Sequence, residues 1–111
     1  MNKYRAKRTH CLFGHLHDSK REASRCTELH GQQQHGIIQG LTLQPKFEFV
    51  INGVPIKMNN GHTAKYTPDF SYSERGQLIA EDVKGFIVRD FPLRAALFRA
   101  LFPDWELRVT K

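Results

Sequence analysis

The chain has 111 residues, 40% of them hydrophobic and only two of them cysteine, which suits one globular domain and excludes a disordered tail or a disulfide scaffold. A net charge of +6 and a pI of about 9.6 favour an anionic partner, nucleic acid first, because Lys and Arg displace counterions from phosphates. No apolar run is long enough to span a bilayer and no signal sequence opens the chain, so no membrane association and a cytoplasmic location with reduced thiols are expected.

Met1 to Thr9 carries Lys3, Arg5, Lys7 and Arg8 around Tyr4 and has no apolar periodicity. It reads as a mobile basic arm that binds DNA phosphates, with Tyr4 suited to a sugar or an unpaired base. The arm is bounded at residues 1–17, and a single domain fills 18–111. A helix is predicted after Ser19, where Ser19 and Glu22 form an S-x-x-E capping box. Ala23 and Cys26 follow at helical spacing, and Gly31 is the predicted stop.

From Ile37 the period changes to two. Leu41, Leu43, Phe47, Phe49 and Ile51 alternate with polar residues, and Pro45 marks an edge or a bulge. Asn52-Gly53 signals a hairpin, with Val54, Ile56 and Met58 on the returning strand. Ala64 to Tyr72 is the next strand, Ser73 to Gly76 a turn, and Leu78 to Phe86 the most apolar, central strand. A helix is predicted from Phe91 to Phe102, with Leu93, Ala96, Leu97, Ala100 and Leu101 as its apolar face. Pro92 is tolerated in the first turn, and Pro103-Asp104 ends the helix. Trp105, Leu107 and Val109 alternate in a last strand. Phe47, Phe49, Phe70, Phe86, Phe98 and Trp105 are read as core. The fold class is α/β, in the order helix–strands–helix–strand with a mixed central sheet.

The chemistry gathers in Tyr66-Thr67-Pro68-Asp69-Phe70 and Glu81-Asp82-Val83-Lys84-Gly85. Asp82 and Lys84 are two apart on a strand and share a face. A two-residue turn at Arg75-Gly76 sets Asp69 opposite Asp82; a three-residue turn slips the pairing by one. Facing carboxylates repel, and a divalent cation would offset the repulsion. Hard carboxylate oxygens suit magnesium or manganese, and Lys84 beside them can steady a phosphate oxygen or help activate water. The plainer reading is a solvated charge cluster on a surface hairpin.

Pro68-Asp69 followed by Asp82-Val83-Lys84 resembles the PD-(D/E)xK nuclease signature. The stretches YTPDF and EDVKG resemble more closely the phage endonuclease I group of Holliday-junction resolvases. They also resemble a family of small phage and prophage proteins. That family is similar too in the opening Asn2-Lys3-Tyr4-Arg5-Ala6-Lys7, in Asp18-Ser19-Lys20-Arg21-Glu22-Ala23 and in Leu43-Gln44-Pro45. The resemblance implies a restriction-endonuclease-like core. It implies a homodimeric, magnesium-dependent endonuclease acting on branched or Holliday-junction DNA in phage replication or recombination. Asp69 and Asp82 would hold the metal, Lys84 would be the active-site lysine, and Glu22 would be a further catalytic carboxylate and metal ligand. Asp82 stands where many relatives have Glu, and Glu81 points to the other face of a regular strand.

Two readings of Glu22 stay open: the N3 residue of the capping box, or a ligand. Two other functions also stay open: a nuclease that nicks or trims duplex DNA, and a non-catalytic DNA-binding protein. Cys11-x3-His15 with Cys26-x3-His30 is a possible zinc set. Its spacing is not that of a finger, His17 crowds it, and the preferred reading makes the cysteines small buried apolar residues.

Overall fold

The computed structural model describes residues 8–17, 19–84 and 90–110. Strands β1 (Thr9–His10) and β2 (Leu16–His17) pair ahead of helix α1 (Lys20–Gln34). There follow β3 (Gln39–Leu43), β4 (Phe47–Glu48), β5 (Val50–Ile51), β6 (Val54–Pro55), β7 (Lys65–Tyr66), β8 (Phe70–Glu74) and β9 (Gln77–Val83). Helix α2 (Phe91–Leu101) and strand β10 (Trp105–Thr110) complete the order. The main sheet runs β10-β9-β8-β3. β3, β8 and β9 are antiparallel neighbours, whereas β10 lies parallel to β9 with α2 between them in the chain. The protein is thus mixed α/β with two helices and a mixed sheet, in the expected order.

Strand alternation sends apolar side chains to both faces of this sheet. Tyr72 and Ile79 are cross-strand partners and pack with Ala23, Cys26 and Leu29 of α1. Their neighbour Ala80 faces the other way, into Phe47, Phe49, Tyr66 and the Ala95 and Phe98 side chains of α2. Each fully buried Phe or Leu contributes roughly 1.5–3 kcal/mol, so these two clusters are what hold the helices on.

Several elements depart from the sequence pattern. Helix α1 runs through Gly31, the predicted stop, and closes three residues later. There Gly36 takes φ +75; its N–H donates to Gln33 O at 3.0 Å, and the Ile37 N–H donates to Gln32 O at 2.8 Å. These bonds satisfy the last carbonyls, which Gly31 could not do in a helical conformation. The alternating run from Ile37 to Ile51 is three strands, broken at Gln44 (φ +50) and Pro45. Ala64 to Tyr72 likewise splits into β7 and β8 at Pro68, which has no N–H for a ladder.

On α2 the buried residues are Phe91, Ala95 and Phe98, while Leu93 is 66% exposed and Ala96 and Ala100 face solvent. The two large aromatics, i and i+7, decide which way the helix turns. The N-terminal boundary also shifts: residues 9–17 are a folded hairpin, with Cys11 and His17 buried. Lys3, Tyr4, Arg5, Lys7 and Phe86 lie outside the described residues, and Arg8 is exposed. Among the described residues no helix is long and apolar enough to cross a membrane.

Candidate active site

The β8–β9 hairpin sets the geometry. Its turn is the two-residue Arg75-Gly76, with φ of +52 and +79, the mirror-image turn whose twist matches the flanking strands. Phe70 pairs with Glu81, so Asp69, one step further out, stands opposite Asp82. Asp69 lies in a bend just before β8 and is anchored at both ends. Its carbonyl accepts from the Gln44 N–H at 2.9 Å, and its Oδ2 accepts from the Val83 N–H at 2.8 Å.

Helix α1 brings in the third carboxylate. Ser19 caps the helix, its Oγ accepting from the Glu22 N–H at 3.1 Å. Only half of a capping box forms. The buried Glu22 side chain turns inward, accepts from His17 Nδ1 at 2.6 Å and hydrogen-bonds Asp69. Burial raises the Asp69 carboxyl to about 9, helped by this bond and by the charges of Asp82 and Glu22; the Val83 N–H opposes the rise. These surroundings favour the protonated form of Asp69, with its proton directed toward Glu22.

Asp82 is buried on β9. Its Oδ2 accepts from the Tyr66 hydroxyl and lies 3.5 Å from Lys84 Nζ. Burial and then Asp82 itself push the Tyr66 hydroxyl far above its ordinary range, so it stays a donor. Lys84 is positioned by its N–H on Thr110 O at 2.8 Å, and its ammonium sits 4.8 Å over the Phe91 ring. The site opens on two sides. A cleft of about 310 Å³ exposes Asp82 and Lys84 beside Lys65 and Arg94, and one of about 200 Å³ exposes Glu22 and Asp69 beside His17 and Gln44. A further hollow, about 720 Å³, lies away from the acids; Lys20, Arg21 and Arg25 of α1 line it against Val83 and Thr110.

Glu81 does point to the opposite face. It is fully buried and accepts from Arg25 Nε at 2.6 Å, Arg25 at a second nitrogen at 2.9 Å, the Tyr72 hydroxyl at 2.5 Å and Thr110 Oγ1 at 3.2 Å. Four acceptor contacts leave it a structural role. Glu22, Asp69, Asp82 and Lys84 are thus brought together as a chain of neighbours, Glu22 to Asp69 and Asp82 to Lys84, across the hairpin pair. The three acids do not gather about one point. Among the described residues, the set of ligand atoms that lie within 4.8 Å of one another belongs to Cys11, His15, His17 and Cys26. Each acid has a donor of its own: His17 for Glu22, the Val83 N–H for Asp69 and Tyr66 for Asp82.

A family described as "Protein of unknown function (DUF1064)" matches residues 1–111. The chain belongs to this family. No curated protein and no solved structure matches it significantly. In this DUF1064 chain two residues of the site, Tyr66 and His17, join the acids through tertiary contacts. Tyr66 reaches Asp82 from β7, which pairs with β4 and shares a core cluster with Ala80 of β9, and His17 reaches Glu22 from β2. The proximity of Tyr66 to Pro68-Asp69 in sequence is the one hint the chain offers.

Proposed function

We propose that this protein is a metal-dependent DNA endonuclease that hydrolyses phosphodiester bonds on branched DNA, Holliday junctions included. One observation carries the reading: Asp69 and Asp82 face each other across a hairpin, with Glu22 bonded to the first and Lys84 paired with the second. Clustered, buried acids with a strongly raised pKa are a costly arrangement found disproportionately at sites that take a ligand or do chemistry. Their oxygens are the hard donors that Mg²⁺ or Mn²⁺ takes, so the donor set fits such an ion. Asp69 and Asp82 would hold it, with Glu22 as a further ligand or as the acceptor that orients a water. When bound, the ion supplies a Lewis acid and a more acidic water. Lys84 offers its ammonium to a phosphate oxygen in the cleft, where partial burial strengthens the attraction. Tyr66 fixes the carboxylate of Asp82. Lys65 and Arg94 on the cleft wall add positive charge beside Lys84 for a phosphate backbone.

The element order supports a restriction-endonuclease-like core, and cutting two strands of a junction calls for a homodimer. The test is cleavage of a labelled panel of junction, flap, nicked, duplex and single-stranded DNA with magnesium, for wild type, Asp82→Asn and Lys84→Ala. Junction cutting lost in Asp82→Asn, and a large rate loss in Lys84→Ala with DNA binding retained, are the expected results. Cutting confined to plain duplex moves the substrate to nicking or end trimming. Binding without magnesium-dependent cutting on any DNA makes the protein a binder.

A further inference from the structure

The sulfurs and ring nitrogens of Cys11, His15, His17 and Cys26 all lie within 4.8 Å of one another. Both cysteines are buried and free, so no disulfide accounts for their meeting. From these residues we infer a structural zinc site, closed by four protein ligands and distinct from the facing Asp69 and Asp82.

The distances fit the ion. Zn–S of about 2.3 Å and Zn–N of about 2.0–2.1 Å at tetrahedral angles place sulfur and nitrogen about 3.6 Å apart. His15 Nδ1 lies 3.6 Å from Cys11 Sγ and 3.6 Å from Cys26 Sγ. The second histidine is oriented as zinc-bound histidines are. His17 Nδ1 donates to the Glu22 carboxylate, which leaves Nε2 as the ligand atom, and that Nε2 is buried with no hydrogen-bond partner. A carboxylate behind a histidine fixes its tautomer and raises its basicity toward a metal. An orphaned ring nitrogen in this setting costs stability, and coordination would remove that cost.

The chain is shaped for the purpose. Cys11 and His15 flank a tight loop, with the Cys11 N–H on His15 O at 2.9 Å, the Gly14 N–H on Cys11 O at 3.1 Å and Gly14 at φ +84. The Leu12 N–H donates to Thr27 Oγ1 of α1 at 3.0 Å, which docks the loop on the residue next to Cys26. Thiolate and imidazole donors select zinc over magnesium, and with no open position the ion is structural. His30, the residue that sequence spacing favoured, instead stacks on His15 at 5.1 Å between centroids, with Phe13 stacked on His30 in turn. His17 takes its place. The ion would pin the β1–β2 hairpin to α1 and, through His17, hold Glu22 in its place beside Asp69.

The test uses untagged full-length protein purified under reducing conditions. Elemental analysis is expected to give about one zinc per chain. Exchange with cobalt is expected to give the visible bands and sulfur charge-transfer absorption of a tetrahedral two-thiolate centre. Cys26→Ser and His17→Gln should each lose or markedly weaken the metal, whereas His30→Gln should keep it. If a variant fails to fold, cobalt titration of wild type stripped of metal still reads the site. Absence of both zinc and the cobalt spectrum in reduced wild type overturns the proposal. So does a Cys11–Cys26 disulfide found by mass in freshly purified protein, or a cobalt spectrum that His17→Gln leaves unchanged. None of these readouts depends on nuclease activity.

Discussion

Glu22 sits at the third position of α1 yet gives its carboxylate to His17 Nδ1, 2.6 Å away, and to Asp69, leaving Ser19 alone to cap the helix. Ser19 caps the helix without a reciprocal bond from Glu22, whose carboxylate is left to His17 and Asp69. Substitutions at the two positions should therefore separate. Ser19→Ala removes the cap and should cost about 1 kcal/mol, with cleavage intact well below the melting temperature. Glu22→Gln keeps an acceptor for His17 and should melt near wild type, but it lacks the charge a cation needs. Its magnesium-dependent cleavage should fall at least about a hundredfold, in line with the loss of a ligand or its support. Thermal melts and cleavage rates on the same preparations check both. A fully active Glu22→Gln protein would remove Glu22 from the site.

Asp69 yields a prediction about stability that needs no substrate. Its folded-state pKa is raised to about 9 by burial and by Glu22, above the ordinary value of 3.8. The folded protein thus holds a proton that the unfolded chain releases. Its contribution is complete below the unfolded value and is lost as pH rises through the folded one. Without added magnesium, the melting temperature should fall from about pH 5 to pH 9 partly for this reason. Asp69→Asn removes the titration while keeping an acceptor for the Val83 N–H. That variant should melt several degrees above wild type at pH 8, differ less at pH 5, and fail to cleave. A wild-type melting curve that rises over this window in parallel with the variant's would contradict the assignment.

The hairpin chemistry was legible because it is local. Alternation puts Asp82 and Lys84 on one face, and Arg75-Gly76 is a turn whose length fixes the register. Mixed-sheet order was legible for the same reason, each strand carrying its own period. What was not legible depends on distant partners. Phe91 and Phe98 bury their face of α2 because Phe47 and Tyr66 wait there, and nothing in the helix itself demotes Leu93. Tyr66 meets Asp82 across 16 positions of sequence. Histidine spacing favoured His30, while the hairpin delivers His17, because a two-residue strand pairing was too short to show as a pattern.

Adjacent acids with opposite roles give a further test. Glu81 is fully buried and held by Arg25, Tyr72 and Thr110, on the face away from Asp82. Arg25→Ala leaves that carboxylate without its cation. Breaking one side of a buried pair costs about 3–5 kcal/mol, so the denaturation midpoint should drop sharply. Residual folded protein at low temperature should still cleave, because the Arg25 side chain is committed to Glu81. Asp82→Asn should show the reverse pattern, stable and inactive. If Arg25→Ala instead melts as wild type does and loses cleavage, then Glu81 belongs to the catalytic set and Asp82 does not hold it alone.

The basic opening can be tested by deletion, and the hairpin says where to cut. Removing residues 1–7 takes away Lys3, Tyr4, Arg5 and Lys7 and spares β1, which begins at Thr9. Cutting further would remove Thr9 from its pairing with His17 and disturb Cys11. If the segment holds phosphates, affinity for DNA should fall and its dependence on salt should flatten. Each lost contact removes about 0.9 from the slope of log affinity against log salt, so three cations lower it by up to about 2.7. Turnover at saturating DNA should persist, since Asp69, Asp82 and Lys84 remain. Binding constants for both chains over a salt series decide the matter, with melting temperatures as the control. An unchanged slope means that the cations touch no phosphate. A lowered melting temperature means that the segment packs against the domain or a second copy, and the loss of affinity then follows from that packing.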